Sequence, residues 1–478
     1  MKDACTVTTI SGRRAACWWF TLPGVLCLCL ALPALSAGDE KTLQRAIDPV
    51  LIQGHELPWL NGKDIDRLGV YACHQGNMVP VPFQVDQRDS SGNWVWDVVY
   101  RQPFVFKEDG KSTITMRNPV SRGPGTIDDQ DPHGKALLDA NDALVFMAAD
   151  LGDRHPDPRK EFGAATVLEI EVSDSLLQTS GWIYVTWQGE TPPLRSGTRY
   201  MRYTRGTEKT VQSPIYHFHY SDNKAALIQD LVVNDHPIAD RIRIRGKISL
   251  SLPFFSSPIA FDEEDVIGYT EGYIAGPVRI VKRNIVHLAL GGGLFNTPEV
   301  TCDHFYYARH AEIPVCLFIR FPVKQVAMML TTDYRDPPFH NLYIGGEEAA
   351  AVKPEDQALV SRLHRLGTEW IALDSGAASI ISLLVVPETL QGLAEATPCL
   401  CSARQEGQSG EEVEAVTGAH TEAGFLITSS TRSPKGEHVI YGTYLISAGP
   451  YEPGDEDAVL AMRDRKLTTC VTLLTPVP

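Results

Sequence analysis

The sequence predicts an all-β protein, mainly an antiparallel β-sandwich or supersandwich, with a few short helices. Three observations carry this. Runs such as TVLEIEVSD (166–174) and RIRIRGKISLSL (241–252) alternate apolar and polar residues, the period of a half-buried strand. Other runs, such as GWIYVTWQG (181–189), are crowded with β-branched and aromatic side chains that suit a pleated surface. Glycine (38) and proline (32) punctuate these runs, and strands do not alternate with helices as a parallel doubly wound sheet requires.

The elements follow in order. Residues 1–37 read as a signal peptide. Lys2, Arg13 and Arg14 precede the apolar run TLPGVLCLCLALPALSAG, which ends in small residues near Ala37. The alternative is a retained anchor, but Pro23 and Pro33 bracket a run shorter than the ~20 residues of a spanning helix. Next, VPVPFQVDQRDSSGNWVWD (79–97) reads as a hairpin. Val79, Val81, Phe83 and Val85 share a face, Pro80 and Pro82 mark an edge, Ser90–Asn93 turn, and Trp94 and Trp96 share a face of the return strand. SPIYHFHYS (213–221) sets Tyr216, Phe218 and Tyr220 against His217 and His219. In 241–252 arginine alternates with isoleucine, so one face is expected to be solvated. GPVRIVKRNIVHLAL (276–290) and the runs from 304 to 334 continue the strands, as do 371–386 and 424–447. Helices are expected at KPEDQALVSRLHRLG (353–367), between Pro354 and Gly367, and at 455–467; the polar stretch 403–421 is expected to be a loop. A chain of 478 residues exceeds the roughly 250–300 at which one core stops growing. The expected division is signal peptide 1–37, N-terminal β domain 38–165, central β-sandwich 166–350 and C-terminal β-rich region 351–478.

The formal net charge is −16, and removing the leader leaves the remainder more acidic still. Such a surface repels nucleic acid and suits cations, neutral ligands or basic partners. Cys73, Cys302, Cys316, Cys399, Cys401 and Cys470 follow the leader, an even number that suggests disulfides in an exported chain. Cys302–Cys316 is the favoured pair, on adjacent strands joined by a short connection. The expected location is periplasmic or extracellular, with no transmembrane span after signal cleavage.

Candidate sites fall into several groups. Asp86, Asp89, Asp139, Asn141 and Asp142 cluster in expected turns, where they either hold Ca2+ or make the turns themselves. His217 and His219 project from one face, where they serve as a base, hold a metal with His287, His304, His310 or His340, or simply line a polar face. The run FDEEDVIGYTEGY (261–273) supplies either a carboxylate pair for glycoside chemistry or a solvated loop. Trp94, Trp96, Trp182 and Trp187 either stack on sugar rings or pack in the core. The glycines at 291–293 lack the lysine and hydroxyl residue of a phosphate loop, and no GxSxG elbow or HExxH is present.

VPVPFQVDQRD, LLDANDALVFMAADLGDR and GPVRIVKR together resemble a group of uncharacterised exported bacterial β-sandwich proteins with PFQVD, DxND and GPVR segments, over roughly residues 50–330. The strand style also resembles carbohydrate-active proteins with mutarotase-like supersandwiches. That second resemblance implies a concave sheet able to hold an oligosaccharide or polysaccharide, and it carries over no catalytic set. The leading expectation is an exported protein that binds carbohydrate and, as an enzyme, acts as a lyase or hydrolase. His217, His219 or a nearby tyrosine is then the base, and a cation or Arg279 neutralises developing charge. The competing expectation is a non-enzymatic envelope protein docking to another exported protein through a sheet edge.

Overall fold

The computed structural model describes residues 39–99, 104–108, 111–115, 120–121, 136–163, 165–189, 192–204, 210–220, 227–250, 258–293, 295–319, 323–335, 341–345, 350–352, 369–402, 421–429 and 435–474. The leader reading, the helix expected at 353–367, His340 and all but the last residue of the loop expected at 403–421 lie outside them. Gly38–Pro478 forms one compact unit.

The chain is all-β, as its alternation predicts, and its described ladders between named strands are antiparallel. Two small sheets pack together near the start. Gln84–Asp86 and Pro49–Gln53 flank Ala143–Met147 in one. The other runs Asn77–Pro80, Leu68–His74, Thr179–Trp187, Thr166–Asp174, Thr468–Leu473. Ile52, Leu144 and Phe146 from the first meet Leu168, Ile170 and Val185 from the second in one buried core. The last strand is therefore laid beside residues near position 170, and a sheet that begins in the N-terminal region closes with residues from the C-terminal one.

Two large sheets form the main sandwich. One has nine strands, with His236–Leu250, Val323–Tyr334 and Thr421–Ser429 at its centre and Tyr216–Tyr220 toward one side. The other has twelve and includes, in order, Ser379–Val385, Gly436–Ser447, His310–Ile319, Val300–Tyr306, Ile280–Ala289 and Val266–Ala275. Phe218, Met328 and Phe425 from the first sheet and Tyr306, Ile380 and Ile440 from the second share the largest core.

Three local expectations are corrected. The run 79–97 is not a single hairpin. Asn77–Pro80 pairs with Leu68–His74, whereas Gln84–Asp86 pairs with Ala143–Met147, so the chain changes sheets at Val81–Phe83. Prolines at 80 and 82 cannot donate to a ladder, which suits that crossover. The arginine face of 241–252 is also not simply solvated. Arg243 is buried and pairs with Asp333 at 2.8 Å and Glu422 at 3.2 Å, with Glu263 at 3.8 Å. Glu263 comes from the acidic run at 261–273, so that run is partly an ion-pair partner of the sheet. Finally, 290–293 forms a single helical turn, and the expected C-terminal helix is Glu456–Asp464. No helix among the described residues is long and apolar enough to cross a membrane.

Candidate functional site

The segments PFQVD and GPVR meet in one buried node. Gln84 and Asp86 lie two apart on a strand and so point the same way. Gln84 Oε1 accepts the backbone N–H groups of Val278 and Arg279, at 3.0 and 2.9 Å, and its Nε2 donates to Asp86 Oδ1 at 2.5 Å. Asp86 is fully buried and takes the Arg279 guanidinium at 2.8 Å from Nε and 2.5 Å from Nη2. Arg279 Nη1 donates to the Tyr307 hydroxyl at 2.8 Å. Burial works against the Arg279 charge, but Asp86 and Tyr307 outweigh it and hold the guanidinium above its ordinary range. Gly276 explains why GPVR begins with glycine, because a Cβ there would overlap the Gln84 carboxamide. Gly276→Ala is expected to cost about 1–3 kcal/mol by overpacking, read as a lower urea midpoint with unchanged slope.

In this arrangement Arg279 is a buried ion-pair partner, 2% exposed, with Nε and Nη2 on Asp86 and Nη1 on Tyr307. It is not brought to the histidines. His217 and His219 project from the face of Tyr216–Tyr220 opposite Tyr216, whose hydroxyl donates inward to the Tyr307 carbonyl at 2.6 Å. The two imidazoles sit 5.0 Å apart, centroid to centroid, with Thr210 Oγ1 3.2 Å from His219 Nδ1 and Asp230 opposite His219 in the ladder. Burial, then the neighbouring His219, lower the His217 pKa.

The aspartates make turns. Asp89 accepts from the amides of Ser91 at 2.9 Å and Asn93 at 2.8 Å, and the Asn93 amide bond in particular holds its carboxyl below the usual range. Asp139 accepts from the amides of Asn141 and Asp142, at 2.7 and 3.2 Å. Asp142 accepts from the amides of Arg88 and Asp139, at 2.9 and 3.0 Å. Asn141 donates to the Asp89 carbonyl at 3.4 Å, so the two acidic segments do lie together. Asp86 is spent on Arg279. Among the described residues no group of three or more His, Cys, Asp or Glu is placed to hold a metal ion.

The tryptophans are packed. Trp94 donates Nε1–H to Asp303 at 2.8 Å, and the Arg88 guanidinium lies 3.7 Å from its ring centre. Trp96 is 8% exposed, with Arg283 5.2 Å away. Trp182 is buried against Tyr71 and Tyr184. Trp187 is half-buried with Lys63 Nζ 4.4 Å from its ring. Three of the four rings are buried, and protein cations lie over three of them.

A cavity among the described residues went unseen in the sequence. It lies between the two large sheets and has a volume of about 560 Å³. Ile242, Ile244, Met328, Leu330 and Phe425 line it from the nine-stranded sheet, and Leu288, Ile313, Val315, Phe318 and Leu384 from the other. Among the described residues no Asp, Glu, Lys or Arg lines it. Its polar lining consists of side chains such as Thr332, Ser382, Tyr444, His287 and His304. Burial lowers the His287 pKa and, followed by Lys282, pushes His304 down to about 3, so both imidazoles are neutral near pH 7. Burial raises Tyr444 to about 12, and its hydroxyl is bonded to Thr332. Cys302 and Cys316 also reach the cavity wall, buried and as free thiols, with their side chains hydrogen-bonded.

No protein-family model and no curated protein matches the chain. Solved structures are similar to it, two of them as follows. One is an alpha-mannosidase from Enterococcus faecalis V583, 8% identical with a TM-score of 0.45, covering 91% of this chain and 45% of that one. The other is a protein in glycosyl hydrolase family 38 from Enterococcus faecalis, 9% identical with a TM-score of 0.45, covering 91% of this chain and 47% of that one. The chain thus spans less than half the length of either structure, and no residue role is carried across from them.

Proposed function

We propose that the chain is a binding protein for a small, uncharged, predominantly apolar molecule held between its two large sheets. The observation that carries this is a cavity of about 560 Å³ with no charged residue in its wall among the described residues, in a chain of net charge −16. Small-molecule sites commonly measure about 300–1,000 Å³ and pair an apolar lining with a few polar groups. Here neutral hydroxyl and imidazole groups fix orientation, and an aliphatic chain or ring system fills the remainder. A charged ligand group would lose its hydration in this cleft without a counter-ion. This reading takes the chain as exported on the strength of residues 1–37.

Carbohydrate binding is a separate proposal for a separate surface. A saccharide carries too many hydroxyls for the apolar cleft. The outward face of Tyr216–Tyr220, with His217, His219 and the neighbouring Asp230, supplies the polar groups such a ligand needs.

Thermal unfolding of the protein with a neutral long-chain alcohol, with a polysaccharide panel, and with calcium or EDTA separates these readings. A ligand at 100 times its Kd adds about 2.7 kcal/mol to folding stability. The alcohol is expected to raise the midpoint, and Ile244→Trp, which fills the cavity, is expected to abolish that rise. A rise with a polysaccharide and none with the alcohol would overturn the cleft reading in favour of the outer face. A calcium-dependent midpoint would support a cation at the aspartate turns.

A further inference from the structure

We propose that the twelve-stranded sheet is parted by a seam leading into the cleft, and that Cys302 and Cys316 form a reversible disulfide across that seam which governs ligand exchange. The proposal rests on the cleft reading above.

The seam is visible in the register. Val300–Tyr306 and His310–Ile319 begin as an antiparallel pair, with Tyr307 N–H donating to the His310 carbonyl at 2.9 Å, then Tyr306 opposite Ala311 and Phe305 opposite Glu312. Their pairing ends there, although both strands continue. On its far side, Val300–Tyr306 stays paired with Ile280–Ala289 as far as Val300. On its own far side, His310–Ile319 stays paired with Gly436–Ser447 to its last residue. Only the junction between them lapses.

Pro314 is the physical cause. In an antiparallel ladder alternate residues of a strand face a given neighbour. His310 and Glu312 face Val300–Tyr306, so the next residue to do so is Pro314, which has no N–H to give. The cavity lies against this stretch: Ile313, Pro314, Val315 and Cys316 all border it.

The thiols stand on the two lips. Cys302 is 3% and Cys316 7% exposed, and they share an apolar cluster with Val300, Val286, Phe318 and Val439. Their hydrogen bond, then burial, keeps the Cys316 thiol protonated. The thiolate is the attacking species, so oxidation is slow and is driven by a disulfide small enough to reach the seam. In balance, the two thiols give up two protons and two electrons to a small-molecule disulfide. One S–S bond forms between Cys302 and Cys316, the S–S bond of the oxidant breaks, and the oxidant leaves as two thiols.

The test compares the protein held in oxidised glutathione with the protein held in dithiothreitol, each loaded with Nile red as a neutral apolar probe. Oxidation is expected to remove two hydrogens from the intact mass, to link the peptides bearing Cys302 and Cys316, and to slow probe dissociation about tenfold. Cys302→Ser is expected to dissociate at the reduced rate in both buffers. Pro314→Val restores an N–H at the lapse and is expected to slow exchange with no cysteine chemistry. A cross-link that leaves dissociation unchanged overturns the latch while the cleft reading stands. So does failure to form the cross-link at pH 8.5. Probe binding by neither form overturns the cleft reading, and the latch with it.

Discussion

Replacing Arg279 by alanine is expected to lower folding stability by about 3–5 kcal/mol, the usual cost of stranding one member of a buried ion pair. Asp86, at 0% exposure, would lose its counter-ion, and the Tyr307 hydroxyl would lose a donor. The damage would not stay local. Gln84 and Asp86 tie the strand after the sheet crossover to the start of Ile280–Ala289, so the pair clamps a small N-terminal sheet onto the twelve-stranded one. Urea unfolding reads the cost directly. Arg279→Met combined with Asp86→Leu is the control: with no charge left to strand, the double variant is expected to recover more than half of the loss. A single-variant cost under about 1 kcal/mol would show that the node is solvated, because exposed pairs are worth only that much.

Arg279 also shows why the site was less legible than the fold. Strands follow from period-2 alternation, a local property, and so Thr166–Asp174, Thr179–Trp187 and Gly436–Ser447 are readable from their own residues. Burial and partners are not local. Asp86 and Arg279 look like metal-ligand and catalytic residues until the fold brings them together across 193 positions. Trp94 looks like a sugar platform until Arg88 covers its ring and Asp303 takes its N–H. The pairing of Thr468–Leu473 with Thr166–Asp174 had no nearby signal either. The cleft was hidden for a different reason. Ile242, Ile244 and Ile248 form the same alternating pattern whether they meet a packed core or a space. One clue was present. Pro314, within the run HAEIPVCLFI, has no N–H to give a ladder, and the pairing of His310–Ile319 with Val300–Tyr306 ends at Glu312.

Mild acid is expected to destabilise the protein through two histidines that the fold keeps neutral. His310 is fully buried and stacked on Tyr307 at 4.4 Å, and among the described residues neither of its ring nitrogens has a hydrogen-bond partner. Burial pushes its pKa down to about 3. His304, bonded to Tyr306 at 3.1 Å and lying beside Lys282 and Asp303, is pushed to about 3 by burial and then by Lys282. The unfolded chain protonates each near pH 6.5, and the folded chain only near pH 3. Between those values the unfolded state holds more protons. Stability is therefore full above pH 6.5 and falls as the pH drops, by up to about 1.4 kcal/mol per pH unit for each histidine. At pH 5 the two together withdraw roughly 4 kcal/mol. Glu312 acts in the opposite sense, since burial raises its carboxyl pKa and it gains protons in the folded state first. Its Oε1 lies 3.8 Å from His310 Nε2, too far for a hydrogen bond, and Arg279 stands behind Tyr307. A difference measurement removes these background groups. His310→Phe keeps a ring against Tyr307 and deletes both unpaired nitrogens. It is expected to be more stable than the parent at pH 7.5, and the gap is expected to widen by roughly 2 kcal/mol at pH 5. An equal gap at both pH values would mean that His310 takes up its proton in the folded chain as readily as in the unfolded one.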